Sequence, residues 1–156
     1  MTTLTSSAGG RNAASLIGNT LRRLESVPYW FLALPLRLAV ATVFWNSGTS
    51  KLANWNTTIE LFTEEYKVPV LPPEIAAYMA ASIELTTPVL LVLGLLTRPA
   101  ALVLLGMTAF IEIFVYPQAW PTHIQWAAML LVLICRGPGM LSIDHWVRRR
   151  FDAALR

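Results

Sequence analysis

Apolar residues run almost unbroken through three stretches, Tyr29 to Ala53, Ile75 to Leu96 and Pro99 to Tyr116. A helix that crosses roughly 30 Å of hydrocarbon needs about 20 mostly apolar residues, so each stretch predicts a membrane span. A fourth stretch, Pro121 to Cys135, is shorter and carries His123 and Gln125 near its start, which places that end in protein or at the interface. Between the third and fourth, Tyr116-Pro117-Gln118-Ala119-Trp120-Pro121 sets two prolines where a continuous helix would need backbone donors. These two stretches therefore read as a helical hairpin. The pattern predicts an all-α fold, an integral membrane four-helix bundle with short interfacial helices.

The flanks divide the chain into an N-terminal cytoplasmic segment (1–27, partly disordered), a four-span membrane domain (28–136) and a C-terminal cytoplasmic amphipathic helix (137–156). Met1 to Asn12 is polar and small, without the apolar block of a cleaved signal peptide, and is expected to be disordered. Leu16, Ile17, Thr20, Leu21 and Leu24 then form a helical stripe beside Arg22 and Arg23, suited to a membrane surface. At the other end, Gly137-Pro138-Gly139 stops the fourth helix and Ser142 can cap a new one. Its apolar side is Ile143, Trp146 and Val147, with Arg148 to Arg150 facing anionic headgroups.

In the loop between the first two spans, Trp55, Ile59, Phe62 and Tyr66 alternate at helical spacing with Glu60, Glu64 and Glu65 on the other side. Asn56 is the expected cap, and Val68 to Pro73 is expected to be extended. The pattern favours an interface anchor over a lid on an internal cavity.

Composition sharpens this picture. The chain has 156 residues, 55% hydrophobic and 13% charged, against about 25% charged in a soluble domain. A pI near 9.4 would suit a nucleic-acid binder, but a mean hydropathy of +0.54 excludes that partner in favour of the lipid bilayer. Nine arginines and three acids fall on one side of the predicted membrane, a net +6. The opposite side carries −2 and the spans −1, which together restore the chain's +3. Loops that retain Arg and Lys stay in the cytoplasm, so both termini are expected there. Cys135 is the single cysteine, which excludes a disulfide framework, a Cys-rich zinc site and a self-contained iron–sulfur cluster.

Three ionisable residues, Arg37, Glu84 and Glu112, fall inside predicted spans. Each costs roughly 2.5–3.5 kcal/mol at mid-bilayer unless it faces inward and finds a partner. Helical rise puts Arg37 about 12 Å from the cytoplasmic end, Glu84 about 18 Å, and Glu112 and His123 about 20 Å. Arg37, Ala41, Phe44, Gly48 and Lys51 form one inward stripe on the first span. Arg37 is expected to reach Glu84, and Lys51 the loop or Glu74. Arg37, Asn46, Glu84, Glu112 and His123 then make a polar pocket able to hold a headgroup or pass a proton; the alternative is ion pairs that only fix helix register. Pro88 would loosen the second span beside Glu84.

A haem held by two histidines is excluded, because His145 lies beyond the fourth span and leaves His123 alone. Glu84, Glu112 and His123 are legitimate metal ligands, but their spacing specifies no site, so neither a metal nor a catalytic residue is assigned.

Arg37-Leu38-Ala39 with Phe44, Ser47-Gly48, Lys51-Leu52 and Trp55, followed by Ile83-Glu84-Leu85 and Leu93-Gly94-Leu95-Leu96-Thr97-Arg98 with Ala100-Ala101, resembles the DoxX family of small four-helix membrane proteins. Leu141-Ser142-Ile143-Asp144 also fits, so the resemblance runs from about Leu34 to Arg149. Its motif positions are Arg37, Gly48, Lys51, Glu84, Gly94 and Arg98. The resemblance implies a bacterial or archaeal inner membrane and an association with quinone-linked oxidases or thiol and oxidative-stress systems. The leading expectation is an accessory subunit of such a redox system, non-catalytic alone, without an intrinsic cofactor. It would bind a quinone and dock a membrane oxidoreductase. A small-solute or proton carrier using the Glu/His cluster and a structural or assembly protein stay open as alternatives.

Overall fold

A computed structural model describes residues 8–154 of the chain, with side chains from 15 to 153. Four long helices form the bundle: α2 (Tyr29–Ala53), α4 (Pro73–Leu93), α5 (Thr97–Phe114) and α6 (Trp120–Arg136). Around them lie α1 (Ala8–Glu25), α3 (Trp55–Leu61), a π-helical turn (Phe62–Tyr66), a 3₁₀ turn (Pro117–Ala119) and α7 (Ile143–Ala154). No strand occurs among the described residues. In the bundle α2 packs on α4, α4 on α5, α5 on α6, and α6 back on α2.

Three helices, α2, α4 and α5, are long and apolar enough to cross a membrane. Their outward residues stay apolar, as Phe31, Val89, Leu102 and Ile113 show, which places lipid against them. The remaining long helix, α6, has 17 residues because the 3₁₀ turn and Pro121 occupy its entry.

Helix ends differ from the sequence expectation for local reasons. Gly94 adopts φ +65 and ends α4 three residues before the expected Leu96, with Gly94 N–H and Leu95 N–H closing onto Leu91 O and Leu90 O. Asn54, not Asn56, caps α3: it accepts from Thr57 N at 3.4 Å, because α3 follows α2 directly and Asn56 is already helical. The segment after the π turn is irregular rather than extended, with Lys67 and Val70 at positive φ. Residues 8–12, expected to be disordered, belong to α1; the rest of that expectation lies outside the described residues.

The core fills only one half of the bundle. Val40, Ala41, Leu91, Ala100, Ala101, Leu104, Leu130 and Leu133 interlock near the arginine-rich end, and Phe44 closes the layer. A smaller cluster, Phe62 with Ala76 and Ala77, seats the π turn on the start of α4. The volume between these two clusters is hollow.

Candidate functional site

Two buried clusters of charge lie at opposite ends of α2. At the arginine-rich end Arg37 is 1% exposed, and its guanidinium donates to four carbonyls: Leu91 O (2.6 Å), Val92 O (2.5 Å), Leu141 O (2.6 Å) and Pro138 O (3.2 Å). Two of these are late carbonyls of α4, where the helix end favours a cation; among the described residues Val92 O has no backbone donor, and Leu91 O shares the arginine with Gly94 N–H. The other two belong to the segment joining α6 to α7. Asp144 completes the node by accepting from Leu96 N (2.8 Å) and Thr97 N (2.9 Å), so a side chain of α7 caps α5. A Cβ at Gly94 would stand 2.4 Å from Ser142 Cβ and 2.8 Å from Arg37 Nη2; only glycine fits there. Ser142 caps α7 through His145 N at 3.2 Å.

Arg37 therefore points away from Glu84, contrary to the sequence expectation, because the carbonyls at the negative end of α4 lie within its reach. It fastens helices and lines no polar pocket.

At the other end Glu84 is 2% exposed and takes Lys51 as its partner, with Nζ 2.9 Å from Oε1 and 2.8 Å from Oε2. Neither the loop nor Glu74 receives the lysine. Ser47 bridges the pair, donating to Glu84 Oε1 (3.0 Å) and accepting from Lys51 Nζ (2.8 Å). Glu84 Oε2 receives no directed hydrogen bond, although Lys51 lies within ion-pair distance. Close approach of α2 to α4 depends on Gly48, where a Cβ would sit 3.0 Å from Glu84 Cβ and Leu85 Cγ.

This cluster forms the polar wall of a cavity of about 620 Å³. The other walls are apolar, chiefly Phe44, Ile83, Met107, Phe110 and Trp126. Phe62 and Tyr66 roof it, so the aromatic stripe expected to be an interface anchor covers a cavity instead. Tyr116 fastens this roof: its hydroxyl donates to Glu65, and its ring stacks edge-on to Tyr66 at 5.7 Å. Burial, then the bond to Glu65, pushes the Tyr116 phenol well above its usual range. Met79 on α4 and Val103 and Gly106 on α5 are exposed yet line the cavity, so it reaches the lipid-facing surface between these helices. A Cβ at Gly106 would meet no atom within 4 Å.

The remaining expected pocket residues separate. His123 lines the cavity and meets Glu112 Oε2 through Nδ1 at 2.6 Å, but Glu112 lies outside the lining with its side chain 29% exposed. Asn46 is exposed on the outer face of α2, and its backbone O accepts from Thr49. The inward position belongs to Ser47, which shares a face with Lys51 by i, i+4 spacing. Glu84, Glu112 and His123 do not converge, and no metal-ligating group of three acids, histidines or cysteines occurs among the described residues. Arg98 is exposed at the arginine-rich end, beside Gly137.

The class is thus a multi-pass α-helical membrane protein with one end pinned by a buried arginine and the other hollow and roofed. The DoxX family model matches residues 32–117. An uncharacterized protein of Haemophilus influenzae is 31% identical over 131 residues, covering 74% of this chain and 83% of that relative. The chain belongs to the DoxX family. No solved structure matches it.

Proposed function

We propose that this chain is an accessory subunit of a membrane redox system that holds a quinone headgroup in the roofed cavity, with the isoprenoid tail leaving between α4 and α5. The observation that carries this reading is an apolar chamber of about 620 Å³ with one polar wall, Ser47, Lys51 and Glu84. Such a volume suits a small-molecule ligand. Lys51 and Ser47 can donate to a quinone carbonyl. Glu84 Oε2, buried and without a directed donor, can accept from a quinol hydroxyl. With one cysteine in the chain, electron transfer would fall to a partner. The arginine-rich end would face the cytoplasm.

The test is purification from native membranes followed by quinone extraction, and quinone retention after reconstitution. Wild-type protein is expected to retain quinone, and E84Q or K51M to retain about tenfold less, the scale of one lost charge-assisted hydrogen bond. Absence of bound quinone, with unchanged quinol oxidation on deletion of the gene, overturns the reading.

A second reading, proton-coupled carriage, draws on the Glu112–His123 pair at the cavity wall. It requires E112Q to abolish proton-coupled uptake in liposomes; unchanged uptake in both E112Q and E84Q removes it.

A further inference from the structure

A second hollow lies at the arginine-rich end, bordering the Arg37 node and sharing no lining residue with the roofed cavity. It has a volume of about 440 Å³, and Arg98, Arg136 and Arg148 line it with His145 and Asp144. Both oxygens of Asp144 already accept from the first backbone N–H groups of α5. Among the described residues, the guanidinium groups of Arg98 and Arg136 meet no carboxylate and donate no hydrogen bond. Arg148 has only a loose, exposed contact with Asp152 at 3.9 Å.

One of the cations is nevertheless held in place, and a second lies beside it. Arg136 lies over the Tyr29 ring at 5.3 Å, and the Tyr29 hydroxyl donates to Gly137 O at 2.8 Å. Arg98 rests against the same glycine, where a Cβ would stand 3.6 Å from its Nη2. These guanidinium groups thus line a hollow with donors unspent. Planar guanidinium forks match the oxygens of a phosphate ester. The hollow also sits where α2 begins and α6 ends, at headgroup level if the bundle spans the bilayer. Exposed Leu96 and Met140 border it on the apolar side.

We propose that this hollow binds the phosphate of an anionic phospholipid, with Arg98 and Arg136 as its principal ligands and Arg148 as an outer one. The site is independent of whatever occupies the roofed cavity.

Delipidated full-length protein in detergent should be titrated with phosphatidylglycerol, phosphatidylcholine and inorganic phosphate, reading bound lipid by native mass spectrometry and melting temperature. Phosphatidylglycerol is expected to bind at least about fivefold more tightly than phosphatidylcholine, the scale of one basic side chain at a membrane surface. R98Q and R136Q should each lose about that factor. R98K and R136K should recover part of it by restoring charge without the fork. R150Q, whose arginine stacks on Trp146 outside the lining of the hollow, should lose less than either. If R98Q fails to fold, R136Q carries the test, because Arg136 is exposed and its guanidinium holds no hydrogen bond or ion pair among the described residues.

Equal affinity for the two lipids, or losses in R98Q and R136Q no larger than in R150Q, overturns the proposal. Displacement of phosphatidylglycerol by equimolar inorganic phosphate overturns the lipid assignment in favour of a soluble phosphate; resistance to displacement upholds the lipid.

Discussion

At one end of α2 a buried cation meets only backbone carbonyls, whereas at the other a partly buried cation meets a buried carboxylate. Arg37 fastens chain segments that must be joined for the bundle to exist: α2, the end of α4 and the α6–α7 connection. Its partners are fixed backbone groups, and it lines neither the roofed cavity nor the hollow at the arginine-rich end. Lys51 and Glu84 join only α2 to α4, face a cavity, and leave one buried oxygen without a directed donor. A buried charge whose hydrogen bonds all go to the backbone holds a fold together. One that borders empty volume with an acceptor left over is placed to hold something else.

The most severe test of this contrast is Arg37→Met. It strands several buried carbonyls, each worth about 1–3 kcal/mol of desolvation, so the expected loss is about 5 kcal/mol and folded protein should almost vanish from membranes. Arg37→Lys has one donor head in place of a fork and should rescue only part of the yield. Folded yield and melting temperature in detergent measure both. If Arg37→Met folds normally but loses bound ligand, the division between a fastening end and a binding end is wrong.

Lys51 offers a middle-sized test. Lys51→Met leaves Glu84 buried without its counter-ion and should cost about 3 kcal/mol, less than the Arg37 change because Ser47 still donates to the carboxylate. The double variant Lys51→Met with Glu84→Gln removes the stranded charge and should recover stability to within about 1 kcal/mol of wild type. Quinone retention should stay low in that double variant. Stability and retention therefore separate at this end and fall together at the Arg37 end; a double variant that regains both would dissolve the distinction.

The all-helical membrane bundle was legible because a 20-residue apolar run has few other uses, and α2 begins and ends where the pattern places it. Helical spacing likewise put Arg37, Ala41, Phe44, Gly48 and Lys51 on one face, and all but partly buried Lys51 are buried. The pairing of charges was not legible. Depth alone set Arg37 against Glu84, but a helix end with unpaired carbonyls competes for an arginine, and such ends cannot be located to a residue from composition. Gly94 in its left-handed conformation moved the end of α4 and, with it, those carbonyls. Asn46 and Ser47 differ by one position, about 100° around the helix, which a stripe drawn through polar residues does not resolve. Nor could the roof be distinguished from an interface anchor. Both use the same amphipathic pattern, and the deciding contact, Tyr116 to Glu65, joins residues far apart in sequence.

That contact supplies the finest test of the two ends, because it joins side chain to side chain, whereas Arg37 holds its node through backbone carbonyls. Tyr116→Phe removes one hydrogen bond to an exposed carboxylate and should cost the roof about 1 kcal/mol, raising its opening roughly fivefold. Hydrogen exchange should show faster exchange across residues 62–72 and no change around Arg37. The pH dependence has a definite sign: burial and Glu65 raise the phenol pKa, so the folded protein favours the neutral hydroxyl that donates. Its contribution is complete below the ordinary tyrosine value of about 10 and fades as pH rises through the higher folded value. Wild-type roof exchange, corrected for intrinsic rates, should therefore show no contribution from Tyr116 ionisation through neutral pH and should accelerate only in strong alkali. Tyr116→Phe should lack that alkaline step; if the variant keeps it, another group fastens the roof.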